Sequence, residues 1–316
     1  MPRYAGPIVD AHHHFWEPSL GRNPWLLPGV DIGFRYGPYE SIKRDYLPPD
    51  MARDTEGLRV VSTVTMETEW DLDDPVGEMD HIRSVQERFG LPDAAVGHAV
   101  LDDPGVEAVL AAFTERRIVR AVRNKPGQAA SASVASAHRT KLDDPAWQRG
   151  YAMLERYGLD FELQTAWWHL DRAEALAERH PGLPVTINHT ALPSDRSEEG
   201  LSGWEAAIRS IARLEHVHLK VSGIGLQGVP WTAGNNRRIV ETAIEVFGVE
   251  RVMFASNFPV DGLAGGYAEI MGGFLEITEG FAEHEQHAMF AGNAVTRYRL
   301  DPGVLERPSL AERWPA

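Results

Sequence analysis

Eight short apolar segments recur along this chain, each followed by a turn and a helical pattern. They fall at residues 8–10, 60–66, 95–100, 120–123, 160–164, 185–188, 218–222 and 252–256. Helical periodicity occupies 76–89, 105–115, 147–157, 170–179, 203–214, 236–247 and 267–279. Strands alternating with helices call for a parallel sheet, because consecutive parallel strands need a crossover between them. Eight such units predict closure into a single (β/α)8 TIM barrel, an α/β fold that leaves no sheet edge. A long open doubly wound sheet is the competing architecture.

The chain has 316 residues, a length that α/β barrels reach as one domain. One domain over 1–316 is expected, with two additions to the minimal barrel. Residues 17–50 form a long first βα connection containing Trp25, Phe34, Tyr36 and Tyr39, just after Trp16. Structureless loops of that length are uncommon, and its aromatics predict a lid over the barrel mouth. Residues 301–316 read as a C-terminal tail that packs outside or frays, and 127–142, rich in Ala and Ser, as a mobile loop.

Composition removes several classes of function. The chain has no cysteine, so disulfides, cysteine–zinc sites and thiol nucleophiles are absent together. A net charge of −15 argues against nucleic acid and anionic lipid as partners, and leaves open a locally basic pocket for an acidic small molecule. No apolar run reaches membrane-span length, and Met1-Pro2-Arg3-Tyr4-Ala5-Gly6-Pro7 lacks a signal-peptide core. A cytoplasmic protein with a small-molecule substrate is expected, with a homo-oligomer left open.

Strand alternation sorts side chains. In 160–164, Phe161 and Leu163 should face the helices, and Asp160, Glu162 and Gln164 the interior; Lys220, Ser222 and Asn257 follow the inward parity. Barrel interiors are normally filled by aliphatics, so these polar residues point to a site at the C-terminal mouth.

The chemistry-bearing candidates follow the strand ends. In Asp10-Ala11-His12-His13-His14, His12 and His14 share one face about 7 Å apart, a spacing from which two imidazoles can reach one divalent ion. Solvated histidines at a polar strand end are the plainer reading. Glu67 falls on the inward parity and could bind metal or move a proton, or could belong with Glu69 and Asp71 to an acidic loop. His189, in Asn188-His189-Thr190, can act as ligand or acid/base, although strict alternation aims it outward unless a bulge or the strand end re-aims it. Arg123, with Arg120 and Lys125 nearby, suits a substrate carboxylate or a surface ion pair. Gln164, Trp167, Trp168 and His169 read as a substrate wall or as packing beneath a lid. Asn257, in Ser256-Asn257-Phe258-Pro259-Val260-Asp261, can orient water or substrate but cannot be a general base.

Taken in order, Asp10-Ala11-His12-x-His14-Phe15-Trp16, Arg120-x-x-Arg123-x-Lys125-Pro126, Asn188-His189, Lys220-x-Ser222-Gly223 and Phe254-x-Ser256-Asn257-Phe258-Pro259 resemble the amidohydrolase-related family. The resemblance is strongest to its branch of sugar-lactone hydrolases, such as fuconolactonase, and pyrone-dicarboxylate lactonase, and spans about residues 7–298. It implies a barrel with its site at the strand C-termini and hydrolysis of a lactone, ester or related carbonyl bond. It matches His12 and His14 to the first-strand histidine pair, His189 to the sixth-strand histidine, and places Arg123 near carboxylate-gripping arginines. The family's Ser-Asp-Trp-Pro at the eighth strand here reads Ser256-Asn257-Phe258-Pro259, and its sixth-strand Asp-His reads Asn188-His189. Two inward carboxylates have become amides, which argues against a two-metal site and removes the usual base. Glu67, His169 or Asp261 would have to replace that base, or metal-bound hydroxide would suffice.

The combined expectation is a lactone or ester hydrolase for a small carboxylate-bearing or ring-shaped substrate. One divalent ion, zinc or else manganese, would be held by His12, His14, Glu67 and His189, with metal-free catalysis kept open. Arg123, Gln164, Trp167, Trp168 and His169 would bind substrate, with the Trp25 region joining Trp167 and Trp168 as its wall, and His189, Asn257, Glu67 and Asp261 would serve catalysis. A metal-dependent decarboxylase of an aromatic or unsaturated acid and a non-catalytic ligand-binding barrel are the alternatives.

Overall fold

A computed structural model describes residues 4–315. Its eight strands are β1 (Ile8–His13), β2 (Val60–Met66), β3 (Ala94–His98), β4 (Val119–Arg123), β5 (Asp160–Leu163), β6 (Val185–Ile187), β7 (Val217–Val221) and β8 (Val252–Phe254). They lie in sequence order in one sheet, and every neighbouring pair is parallel. The seam between β8 and β1 is closed just beyond β8: Asn257 N–H donates to His12 O at 2.7 Å and His14 N–H to Phe258 O at 2.7 Å. The buried Asp10 carboxylate clamps this seam, accepting from Ser256 N–H (3.0 Å), Ser256 Oγ–H (2.5 Å) and Tyr267 O–H (3.1 Å). This is the predicted TIM barrel.

Helices α1 (Pro48–Asp54), α2 (Pro75–Phe89), α3 (Val106–Thr114), α4 (Pro145–Arg156), α5 (Leu170–Glu178), α6 (Glu198–Ile211), α7 (Ala233–Phe247) and α8 (Tyr267–Ile277) connect or cover the strands. Their starts are written in the sequence: Asp74, Asp144 and Ser197 accept N-terminal amides of α2, α4 and α6, each cap contributing about 1 kcal/mol. On α4, Trp147, Tyr151 and Leu154 recur at helical spacing and are buried, with the two rings edge-on to Phe161 of β5. Phe161 and Leu163 thus face the helices as alternation requires.

The polar interior has a different meaning from the one expected. Glu162 and Lys220 are fully buried 3.0 Å apart, and Glu162 also accepts from Tyr298 O–H and Asn188 Nδ2–H, both at 2.5 Å. Asp160 pairs with Arg297 (2.5 Å) and Arg299 (2.9 Å). These groups satisfy one another inside the barrel, whereas the mouth cavity described below is lined by other residues. They constitute a polar core in which the charges are paired, as burial demands, while Asn188 Oδ1 and Arg297 Nη2 have no partner. Arg297 and Tyr298 arrive from the C-terminal segment, and Val304 packs with Val9, Ala11 and Leu300 in the same cluster. The tail is therefore anchored; Arg307 also grips Asp93 at 2.8 Å. Position 316 lies outside the described residues.

The 17–50 segment runs over the mouth in short 3-10 turns at Pro18–Leu20, Pro24–Leu26 and Glu40–Ile42. The 127–142 segment, expected to be loose, is tied down: Arg172 donates to His138 O (2.7 Å) and Ala135 O (3.2 Å), and His169 Nε2 accepts Ala129 N–H at 2.9 Å. Among the described residues no helix is long and apolar enough to cross a membrane.

Candidate active site

A cavity of about 240 Å³ opens where the strands end. His14 follows β1, Glu67 follows β2, Arg123 ends β4, Gln164 follows β5, His189 follows β6 and Asn257 follows β8; all six line it. Trp16, Trp25, Ile32, Phe34 and Arg35 close it from the lid side, and Thr68, Glu69, Lys125 and Val260 complete the wall. A larger crevice, about 400 Å³, lies along 126–145, but its Lys141 and Asp143 are paired with Asp102 and Arg172 and no strand end reaches it.

His189 enters the cavity against the parity of its strand. His189, Thr190, Ala191 and Leu192 all adopt left-handed backbone, φ 52–58°, a conformation that costs non-glycine residues energy and clusters at functional sites. This turn redirects the ring. Gly223 makes room for it: a Cβ there would sit 2.4 Å from His189 Nδ1 and 3.0 Å from Arg35 Nη2. His189 Nδ1 lies 3.0 Å from Ser222 Oγ, which leaves Nε2 for the cavity. Burial, then the charges of Arg35 and Arg123, hold His189 well below the ordinary imidazole range, so it is neutral at pH 7.

His12 lies beneath the cavity floor, its ring centroid 4.5 Å from that of His189 and 5.4 Å from that of His14. Both its ring nitrogens are buried without a hydrogen-bond partner. His14 Nδ1 faces Met66 O at 3.3 Å, and burial followed by Arg123 lowers its pKa to about 3. His13 takes the opposite face and packs against Phe15, ring centroids 4.2 Å apart.

Glu67 is not available as ligand or base. Its Oε1 accepts from Arg123 Nε–H at 2.6 Å, its backbone carbonyl from Arg123 Nη2–H at 2.9 Å, and its Oε2 from Glu69 N–H at 2.8 Å. Burial alone would raise its pKa, but Arg123 and then Lys125 overcome that and hold the carboxyl well below its usual range. A proton in this region sits instead on Glu78, pushed up to about 8 by burial and by the Glu67 charge. Glu78 Oε1 meanwhile accepts from Thr68 N–H (2.7 Å) and Oγ1–H (2.8 Å).

The four-donor metal set expected from sequence does not assemble. With Glu67 held by Arg123, three imidazoles remain, and among the described residues no three His, Asp or Glu side chains are placed to hold an ion. The carboxylate that could have completed the set at β8 is an amide, while burial, then His189, Lys220 and Arg123, keep His12 in its neutral form. Neither Glu67 nor position 257 therefore supplies a carboxylate ligand, and a divalent ion here would have to be held by the imidazoles of His12, His14 and His189, of which His12 has both ring nitrogens buried without a partner.

Two amides are fixed in opposite senses. Asn257, itself left-handed at φ 55°, donates its Nδ2–H to Asp261 at 2.6 Å, so its carbonyl oxygen is the atom left for the cavity. Gln164 accepts from Arg123 Nη1–H at 3.0 Å, which turns its own NH2 toward the cavity. Asp261 is buried behind Asn257 and does not line the cavity; it also accepts the Tyr36 hydroxyl at 2.9 Å and lies 3.5 Å from Arg35. Burial raises its pKa against those partners. Arg123 uses three of its five N–H donors within the protein, leaving two for a ligand.

Three substrate-wall residues lie elsewhere. After β5 the backbone turns into a 3-10 turn, Trp167–His169, where alternation no longer applies. Trp167 and Trp168 point outward into a groove with Asp171, Glu174, Ala207 and Ser210, and His169 holds the 127–142 segment. Conversely, Arg35 and Thr68 were missed. Their only sequence signal was proximity to the lid aromatics and to Glu67.

The amidohydrolase family model matches residues 9–300. An uncharacterised protein of Sinorhizobium fredii is 33% identical over 294 residues, covering 93% of this chain and 98% of that one. An L-fucono-1,5-lactonase of Burkholderia multivorans is 24% identical, covering 92% of this chain and 96% of that one. Among solved structures, an amidohydrolase of Burkholderia multivorans with bound zinc superposes with a TM-score of 0.76 at 23% identity, covering 93% of this chain and 99% of that one. The barrel, the histidines at its strand ends and a match along nearly the whole length agree: this chain belongs to the amidohydrolase family and is an amidohydrolase-type hydrolase.

Proposed function

We propose that the protein hydrolyses the ester bond of a small lactone. The observation that carries this reading is the pair of oppositely fixed amides: an acceptor, Asn257, beside His189, facing donors from Gln164 and Arg123. The likeness to a lactonase along 92% of the chain supports it.

In this mechanism, Asn257 Oδ1 and His189 Nε2 accept the two hydrogens of a water molecule. With Nδ1–H on Ser222 Oγ, His189 presents a neutral acceptor, the form its environment favours. Water oxygen forms a bond to the lactone carbonyl carbon as its proton passes to His189. The free N–H groups of Arg123 and the Gln164 amide stabilise the resulting oxyanion. Collapse restores the carbonyl and breaks the ring C–O bond, and the leaving alkoxide takes the proton from His189. The product is the open hydroxy acid, and the enzyme returns to its starting state.

A lactone panel followed by acid release tests this. Turnover that falls at least about 100-fold in His189→Ala, the usual contribution of a general base, is expected. Carbon dioxide release in place of water addition would favour a decarboxylase, and binding without turnover a ligand-binding barrel; either result rejects the proposal.

A further inference from the structure

We infer that this site selects a lactone with an aryl or hydrocarbon face and discriminates against polyhydroxylated sugar lactones; the inference rests on the lactone-hydrolase reading above. The lid supplies one whole wall. Trp25 and Phe34 stack with centroids 5.8 Å apart and planes 12° apart, and Trp16 meets Trp25 edge-on at 5.5 Å. Ile32 and Val260 extend the same surface.

The polar atoms of those rings are engaged inside the protein. Trp16 Nε1–H donates to Arg44 O at 2.9 Å, and Trp25 Nε1–H to Thr68 O at 2.8 Å. Tyr39, packed behind Phe34 at 5.1 Å, directs its hydroxyl to Trp25 O and Val30 O, both at 3.0 Å. The aromatic part of this wall, Arg35 apart, therefore offers ring faces and edges and no hydrogen bond. A sugar hydroxyl pressed against it would lose water and gain no partner, a penalty of about 100-fold in an apolar pocket. A flat apolar ring loses nothing there and gains stacking area. The opposite wall, Arg123, Lys125 and Gln164, supplies the polar contacts, so one face of the substrate is apolar and its carbonyl edge is polar.

The wall is also held in place. Asn23 Nδ2–H donates to Thr68 Oγ1 at 2.7 Å, and Arg35 Nη2–H to Gly223 O at 3.0 Å, fastening the lid to the ends of β2 and β7. Its discrimination is thus built into the resting protein.

The test compares kcat/KM for dihydrocoumarin and for L-fucono-1,5-lactone in the native protein, Phe34→Ala and Trp25→Phe. Dihydrocoumarin should be preferred by about 100-fold or more. Phe34→Ala should shrink that ratio about tenfold through KM with the pH profile unchanged, and Trp25→Phe should largely keep it. Equal or better use of the sugar lactone, or a ratio untouched by Phe34→Ala, overturns the inference while leaving lactone hydrolysis intact. Should neither lactone turn over, the hydrolase reading fails, and calorimetric titration with 3-(2-hydroxyphenyl)propanoate against an aldonate decides selectivity. Binding of the aryl acid alone, lost in Phe34→Ala, upholds the inference; equal binding or none overturns it.

Discussion

The side-chain nitrogen of Asn257 lies 2.6 Å from Asp261 Oδ1, the same oxygen that accepts the Tyr36 hydroxyl from the lid at 2.9 Å. A carboxylate buried one turn away thus fixes the orientation of an amide at the cavity, and the lid fixes the carboxylate. Asp261 acts through Asn257, as a positioning residue. Asp261→Ala should lower kcat by one to two orders of magnitude with a smaller change in KM, because Asn257 can then present either amide end to water. Tyr36→Phe should give a milder loss in the same direction. Steady-state kinetics of both variants check this; a pure KM effect contradicts it.

Arg123 and Glu67 form a buried ion pair at 3% and 1% side-chain exposure. Removing one partner strands the other charge, which typically costs about 3–5 kcal/mol. Arg123→Met should destabilise by that order in urea unfolding. Adding Glu67→Leu should restore much of the stability and none of the activity, since the oxyanion donors are gone.

Gly223 carries φ +61°, and any Cβ there strikes His189. Gly223→Ala should therefore cost about 1 kcal/mol or more from backbone strain alone and displace the imidazole. Turnover should fall at least tenfold while far-ultraviolet circular dichroism is unchanged.

Glu78 gives a pH signature with a defined sign. Its carboxyl is raised from 4.5 to about 8 by burial and then by the Glu67 charge, so the folded state holds a proton that the unfolded chain releases. That stabilisation is fully present below about 4.5 and is lost as pH rises through 8. Gln reproduces the protonated hydrogen-bond pattern toward Thr68 without titrating. Relative to Glu78→Gln, the native protein should lose stability steadily between pH 5 and 8. A constant difference across that range contradicts the assignment.

The fold was largely legible. Alternating strand and helix patterns located all eight strands, but the pattern overruns the ends of β3 and β8 by two residues and those of β5, β6 and β7 by one. The first strand was read as ending at Asp10, yet it runs to His13, because polar histidines lack the apolar signal by which strands are recognised. The residue types at the strand ends were legible too; their partners were not. Asp261 meets Tyr36 across 225 positions, and Glu67 meets Arg123 across 56, separations that no local pattern encodes. Parity failed where the chain left the strand. It misdirected His189, re-aimed by a left-handed turn; of the aromatics that composition offers as a wall, Trp25 lines the cavity, whereas Trp167 and Trp168 face a separate groove.

The most direct test of the central claim is turnover of a lactone substrate in ¹⁸O-labelled water by the native protein and by His189→Ala. Attack of His189-activated water on the carbonyl predicts one labelled oxygen in the carboxylate, none in the released hydroxyl, and a loss of rate of about 100-fold or more in the variant. Label in the hydroxyl oxygen, or an undiminished rate in His189→Ala, would contradict the account.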